Sequence, residues 1–242
     1  MTLSFEVLLF LGVVGFYLSD SIMLLYANEW VFSQTHGKWA FALPQTNWQL
    51  LRKHLYWPNP FTPARPLFRV FWSAADSRPH DPVAFRHFLS ALKRLRYPLY
   101  SLLVLQLVGL PAVLFGLGAN LGLLILFGAV YLNIAVLSVQ VYRYRAALGL
   151  SKKGVAKLAF DSLACPPLAL NLLRKISLQS CFIGDPVAFA HQSFDPITFE
   201  QLRKSLCQQV DKAMRFEDEA SPKYAQLQAY HNRIMEMRPY SH

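Results

Sequence analysis

Two stretches of this chain, Tyr97 to Leu117 and Leu121 to Tyr142, carry no charged residue and are separated only by Gly118, Ala119 and Asn120. A bilayer hydrocarbon core about 30 Å thick needs roughly 20 apolar residues per helix, so each stretch can cross it. So short a connection makes them a tight antiparallel hairpin. A third window, Leu3 to Leu25, is apolar apart from Glu6, a few serines and Asp20. The predicted fold is an α-helical membrane protein with three transmembrane helices, at residues 1–26, 97–117 and 121–142. A hydrophobic content of 54% over 242 residues and a mean hydropathy of +0.25 are too apolar for an ordinary soluble domain.

The basic residues set the expected orientation, because Lys and Arg near short loops are retained on the cytoplasmic face. Residues 1–26 and the 118–120 turn contain none, whereas residues 27–98 hold 10 and residues 143–242 hold 14. The amino terminus is therefore expected outside and both polar regions inside. The leader Met-Thr-Leu-Ser-Phe-Glu lacks the positive charge of a secretory signal, so the first window reads as an uncleaved span. Without a eukaryotic targeting signal, this inside bias points to a bacterial inner membrane. Cys165, Cys181 and Cys207 show no CxxC spacing and read as reduced thiols facing a cytosol.

A net charge of +10 fits either nucleic acid or anionic lipid as a partner. The cations cluster beside spans, at Lys93, Arg94 and Arg96, at Arg143 and Arg145, and at Lys152 and Lys153, so lipid headgroups are expected and nucleic acid is not. Topological retention alone would place the same residues there.

Between the first two spans, residues 27–80 show alternating patterns that fit half-buried strands. Trp30, Phe32 and Gln34 share one side of one run; Trp39, Phe41 and Leu43 share one side of the next, with His36-Gly37 as a hairpin turn. Further extended runs are expected from Gln49 to Trp57 and from Leu67 to Trp72. Four prolines between Pro58 and Pro66 exclude regular structure in between. The expectation is a small antiparallel β-sheet with a stiff connector. All five tryptophans, Trp30, Trp39, Trp48, Trp57 and Trp72, fall in this region. They can serve as its core, as a contact with the headgroup layer or as a partner surface.

Residues 81–96 have the spacing of an amphipathic helix, capped by Asp81-Pro82 and interrupted near Tyr97-Pro98. Residues 151–180 are apolar enough to suggest a fourth crossing. Lys157 and Asp161 would each cost about 2.5–3.5 kcal/mol near the centre of a span, and Pro166-Pro167 breaks the helix. Two short interfacial helices are expected instead. In the cytoplasmic helical region 185–242, Asp195-Pro196 and Ser221-Pro222 open two amphipathic helices on either side of an acidic turn, Phe216 to Ala220.

Catalytic signatures are absent from the sequence: no Gly-rich phosphate loop, HExxH, nucleophile elbow or CxxC pair. No cofactor or metal is expected. Asp81-Pro82-Val83-Ala84-Phe85-Arg86-His87 recurs as Asp185-Pro186-Val187-Ala188-Phe189-Ala190-His191. Two capped helix starts explain that match, and a paired site at His87 and His191 is the functional alternative. Asp20, Gln106 and Asn133 are the intramembrane polar candidates, with the amides expected to hydrogen-bond between helices. Arg65 and Arg69 are candidate anion contacts. The resulting expectation is a non-enzymatic membrane-anchored accessory or assembly protein. It would present a cytoplasmic surface to another membrane or cytoplasmic protein, or to a second copy of itself. The alternatives are a membrane-bound enzyme acting on lipid-linked or phosphate-bearing substrates and a transporter or channel subunit.

Overall fold

The computed structural model describes residues 4–26, 28–35, 37–42, 49–50, 53–72, 82–116, 119–179 and 185–237. It is mostly helical, with small antiparallel sheets, and divides into two compact units. The first comprises residues 1–22, 57–66 and 82–180; the second comprises residues 23–56, 67–81 and 181–242.

The first unit is built on helix α1 (Phe5–Ser21), a broken helix formed by α2 (Pro82–Arg94), α3 (Arg96–Val104) and α4 (Leu110–Gly116), and helix α5 (Ala119–Arg143). Two helices, Val83–Gly116 and Leu121–Arg143, are long and apolar enough to cross a membrane. α1 has 17 residues, about 26 Å at 1.5 Å per residue. It stops at Ser21 rather than continuing to Leu25 because its end is polar. Ser19 Oγ donates to the Phe16 carbonyl and Ser21 Oγ to the Tyr17 carbonyl, competing with the helical ladder. Ile22 is already extended.

Prolines set the breaks in the second helix. Pro98 has no N–H for the Arg94 carbonyl, and the helix interrupts at Leu95, between α2 and α3. Pro111 likewise cannot bond Leu107, and Leu105–Gly109 widen into a π turn in which the Leu110 N–H reaches back to the Leu105 carbonyl.

The three long helices pack in alternating directions. Tyr17, Leu102, Val130 and Ile134 share one buried cluster. Leu110, Val113 and Leu126 form another, with Phe10 and Val13 against it. α1 therefore runs parallel to α5 and antiparallel to α3–α4. On α5 the buried residues Leu126, Val130, Ile134, Leu137 and Val141 recur every three or four positions, the stripe of a helix contacting others along one side. Its remaining surface, including Leu121, Leu124, Ile125, Leu132 and Val139, is apolar and exposed. After a turn at 144–150, α6 (Lys152–Ala164), α7 (Pro166–Ala169) and α8 (Leu172–Gln179) complete the unit. Residues 57–66, the proline-rich connector, belong here and not with the sheets.

The second unit contains two three-stranded antiparallel sheets rather than one. In the first, β1 (Met23–Leu25) and β4 (Gln49–Leu50) flank β5 (Lys53–Tyr56); in the other, β3 (Lys38–Ala42) and β6 (Leu67–Phe71) flank β2 (Glu29–Thr35). Thr35 pairs with Lys38, and Gly37, at φ +84°, closes the two-residue turn between them. The expected single run from Gln49 to Trp57 is two strands folded on each other, Gln49 opposite His54 and Leu50 opposite Lys53. β2, fully buried at Trp30, Val31 and Phe32, is the centre of the core. Helices α9 (Pro186–Ser193), α10 (Pro196–Met214) and α11 (Pro222–Glu236) begin where Asp185, Asp195 and Ser221 cap them, each followed by proline at the first position. Asp81, the matching cap expected for α2, lies outside the described residues.

Candidate functional site

The most concentrated polar chemistry lies in the helical unit, where the end of α1 meets the start of α8 and the connector. Ser21, Asn171 and Arg174 are all nearly inaccessible to solvent. Asn171 Nδ2 donates to the Tyr17 carbonyl at 3.2 Å and to the Asp20 carboxylate at 3.1 Å. Lys175 Nζ pairs with the same carboxylate at 2.9 Å. The Arg174 guanidinium donates to Asn171 Oδ1 at 3.1 Å, to the carbonyl of Asn59 and to that of Thr62 at 2.9 Å. Tyr17 donates its hydroxyl to the Pro60 carbonyl. A buried polar group is costly unless paired, and prolines at 58, 60 and 63 leave the connector without a backbone ladder. The Asn59 and Thr62 carbonyls already accept from the Thr62 and Arg65 N–H groups in successive turns, and Arg174 adds a second, charged donor that ties those turns to α8.

Of this cluster the sequence singled out only Asp20. Asn171 and Arg174 were legible merely as polar interruptions in an apolar segment, since their partners lie more than 100 residues away. The other two intramembrane candidates also bridge elements, but not each other. Gln106 Nε2 donates to the Pro166 carbonyl at 2.9 Å, and Asn133 Nδ2 donates to Ser101 Oγ at 2.7 Å. Asp20, Gln106 and Asn133 thus have three separate sets of partners.

The cations expected at the headgroups lie at one end of this bundle. Lys93 and Arg94 end α2, Arg96 starts α3, Arg143 ends α5 and Lys152 and Lys153 start α6. Arg94 donates to the Tyr144 hydroxyl at 3.0 Å, tying two of these ends together, and Arg145 lies over the Tyr142 ring at 4.5 Å. Lys93, Arg143, Lys152 and Lys153 are exposed.

The tryptophans separate into classes. Trp30, Trp39 and Trp72 are buried in the second unit, which fits the core among their three readings and not a surface. The Trp30 and Trp72 indole N–H groups converge on Gln209 Oε1 at 2.8 and 3.1 Å, and Trp39 packs edge-on against Phe189. A small sheet unit fills its interior with large side chains because it has few residues to do so. Trp57, in the helical unit, is 54% exposed, and Trp48 lies outside the described residues.

The remaining candidates are divided between the two units. Arg69 lies 3.9 Å from the buried carboxylate of Glu29, an internal partner for its charge. Arg65 is half-buried in the connector. His87 is exposed on α2 of the first unit, while His191 on α9 of the second stands edge-on to Phe199 at 5.0 Å. Among the described residues no three His, Cys, Asp or Glu side chains gather to hold a metal ion. Several ionisable groups of the second unit serve its folding. A hydrogen bond from Arg203 holds Glu200 below the usual carboxylate range, the Thr198 N–H does the same for Asp195, and Arg233 pairs with Asp185. Burial pushes the Cys207 thiol up, away from the reactive thiolate.

No protein-family model, curated protein or solved structure matches this chain.

Proposed function

We propose that this chain is a three-span inner-membrane protein, amino terminus outside, that acts as a non-enzymatic accessory or assembly factor through a cytoplasmic second unit. The observation that carries the membrane part is the surface of the bundle. In the apolar windows of its two longest helices only 28% and 22% is buried, where the core helix of a soluble protein would be mostly covered. The exposed remainder is apolar until it reaches cations, and they sit at one end only. Lipid is the solvent that makes such a surface stable, and retention of Lys and Arg makes that end cytoplasmic. α1 supplies the third span because it packs antiparallel to α4 with its polar end, Asp20 and Ser21, on the basic side.

The accessory role is supported by where the ionisable groups are spent. Glu29 with Arg69, Glu200 with Arg203, Asp211 with His231 and Asp185 with Arg233 are structural pairs. A transporter subunit would need Asp20, Gln106 and Asn133 to face one cavity, and their separate partners weigh against that. Anionic lipid and a second protein, or a second copy, remain the proposed partners. Two measurements test the proposal. The protein should resist extraction by alkaline carbonate, with a carboxyl-terminal reporter active only in the cytoplasm. Gentle solubilisation should also retain a stoichiometric partner. Carbonate release or an external carboxyl terminus defeats the membrane reading, and a partner-free monomer defeats the accessory role.

A further inference from the structure

We infer that residues 152–175 form a re-entrant helical hairpin, inserted from the basic side and turning at mid-depth, whose outer face contacts the acyl chains of that one leaflet. This rests on the membrane reading above. α6 starts at the basic end, where Ser151 caps it beside Lys152 and Lys153, and packs back along α5. Its 13 residues span about 20 Å. The chain then breaks at Cys165, and the Pro166 carbonyl accepts from Gln106. Gln106 is ten residues from Arg96 and ten from Gly116, about 15 Å from either end of its span, so the break lies half-way through. From there the chain returns. Ala169 and Leu170 are fully buried in the cluster with Tyr17 and Leu102, and Asn171 and Lys175 are back at Asp20, at the basic end of α1.

Two features fit the turn to apolar surroundings. Irregular backbone at that depth is tolerated only where its polar groups are paired within the protein. Pro166 and Pro167 have no N–H to pair. The Cys165 N–H reaches the Asp161 carbonyl, and the Cys165, Pro166, Pro167 and Leu168 carbonyls accept from Leu168, Gln106, Leu170 and Asn171. The second feature is a gradient along the outer face of α6. Lys152, Lys153 and Lys157 are exposed near its start, while Phe160 at 71% and Leu163 at 41% are exposed near its end. Helical side chains tilt toward the amino end, so Lys157 snorkels to the headgroups. Asp161, one turn deeper, is half-buried rather than exposed on that face.

The test is nitroxide labelling of single cysteines at positions 153, 160 and 163, with Leu124 and Leu132 of α5 as references. The background carries Cys165→Ser, Cys181→Ser and Cys207→Ser, and the full chain is reconstituted in phosphatidylcholine–phosphatidylglycerol vesicles. Collision with oxygen is compared with collision with a neutral nickel chelate. All five positions can be labelled at an outer surface, so packing is spared, and circular dichroism of each labelled protein confirms the fold. The inference expects chelate access at 153 and oxygen-favoured values at 160 and 163 that approach those at 124 and 132. Chelate access at 160 and 163, with 124 and 132 still oxygen-favoured, overturns the hairpin alone. Chelate access at 124 and 132 overturns the membrane reading itself.

Discussion

Replacing Arg174 by alanine should loosen the connector and destabilise the helical unit. The guanidinium holds the Asn59 and Thr62 carbonyls, and a hydrogen bond to a charged donor contributes about 1.5–3 kcal/mol. Asn171 Oδ1 loses one donor but retains Ser21, so it adds little. Both carbonyls keep a backbone donor, the Thr62 and Arg65 N–H groups, and Asn59 is exposed to water, so neither is left unpaired. The alanine also frees the cation from the cost of burial, which further lowers the net effect. The two connector bonds at the low end of the range give about 3 kcal/mol. At roughly 2–4 °C per kcal/mol for a chain of this size, that is a fall of about 6–12 °C in the unfolding midpoint. Circular dichroism in mild detergent reads it, with the transition of the helical unit separated from that of the sheet unit. Arg174→Lys, which keeps the charge but loses the planar fork, should fall between. Chymotrypsin gives a local reading: cleavage after Phe61, exposed in the connector, should accelerate in the alanine variant. A midpoint within 2 °C of the native protein and unchanged cleavage would show that the guanidinium does not hold the connector.

Three further outcomes are expected. Gly122→Ala places a Cβ 2.9 Å from Val113 Cγ1, whereas at Gly128 nothing lies within 4 Å; the first should cost about 1–3 kcal/mol, and Gly128→Ala, which meets no neighbour and favours the helix by about 0.5–1 kcal/mol, should not lower the thermal midpoint. Gln209→Leu strands the two indole N–H groups of Trp30 and Trp72, at about 1–3 kcal/mol for each buried donor, and equal urea midpoints for variant and native protein would exclude that shared acceptor. Asp195 has a carboxylate pKa depressed by the Thr198 N–H. Its contribution to α10 is therefore complete above the unfolded value and is lost as pH falls through the folded one. Asp195→Asn keeps the cap without the charge, so thermal midpoints of the sheet unit between about pH 3 and 6 should fall less steeply with acid than in the native protein. Parallel curves would remove Asp195 from that dependence.

The parts of this fold that are legible in the sequence are those written in local chemistry. The two charge-free windows, the Asp-Pro and Ser-Pro caps and the turn at Gly37 each need only neighbours within a few residues. Hydropathy overran the end of α1 because it averages, and Ser19 and Ser21 act individually on the backbone. The run from Gln49 contains no Gly, Pro or Asn before Trp57, so its reversal between Leu50 and Lys53 left no turn signal. The same averaging hides the course of residues 152–175. Lys157, Asp161 and two prolines argue against a crossing, yet they do not distinguish a segment lying along the interface from one that dips and returns. Of the polar cluster only Asp20 could be read, because nothing local relates Arg174 to Asn59.

Apolar contact alone cannot choose among these arrangements once lipid is the solvent. Exchanging a leucine neighbour for an acyl chain changes little, so helices in a bilayer are free to slide unless something fixes their register. Here polar side chains fix three of the boundaries: Asn133 joins α5 to Ser101 of α3, Gln106 joins the π turn to Pro166, and Asn171 joins the returning chain to Asp20 and Tyr17 of α1. Arg174 then adds the connector. These bonds cross different boundaries, and Lys175 reinforces Asn171 at Asp20. The π turn has a place in this scheme. Widening the helix at Leu105–Gly109 adds a residue to one turn, which changes the direction in which Gln106 projects relative to a straight helix. The amide can then meet the Pro166 carbonyl while Leu102 and Leu110 on either side stay packed against α5. Pro111, by removing the ladder bond that would keep the helix straight, is the residue that makes this contact available.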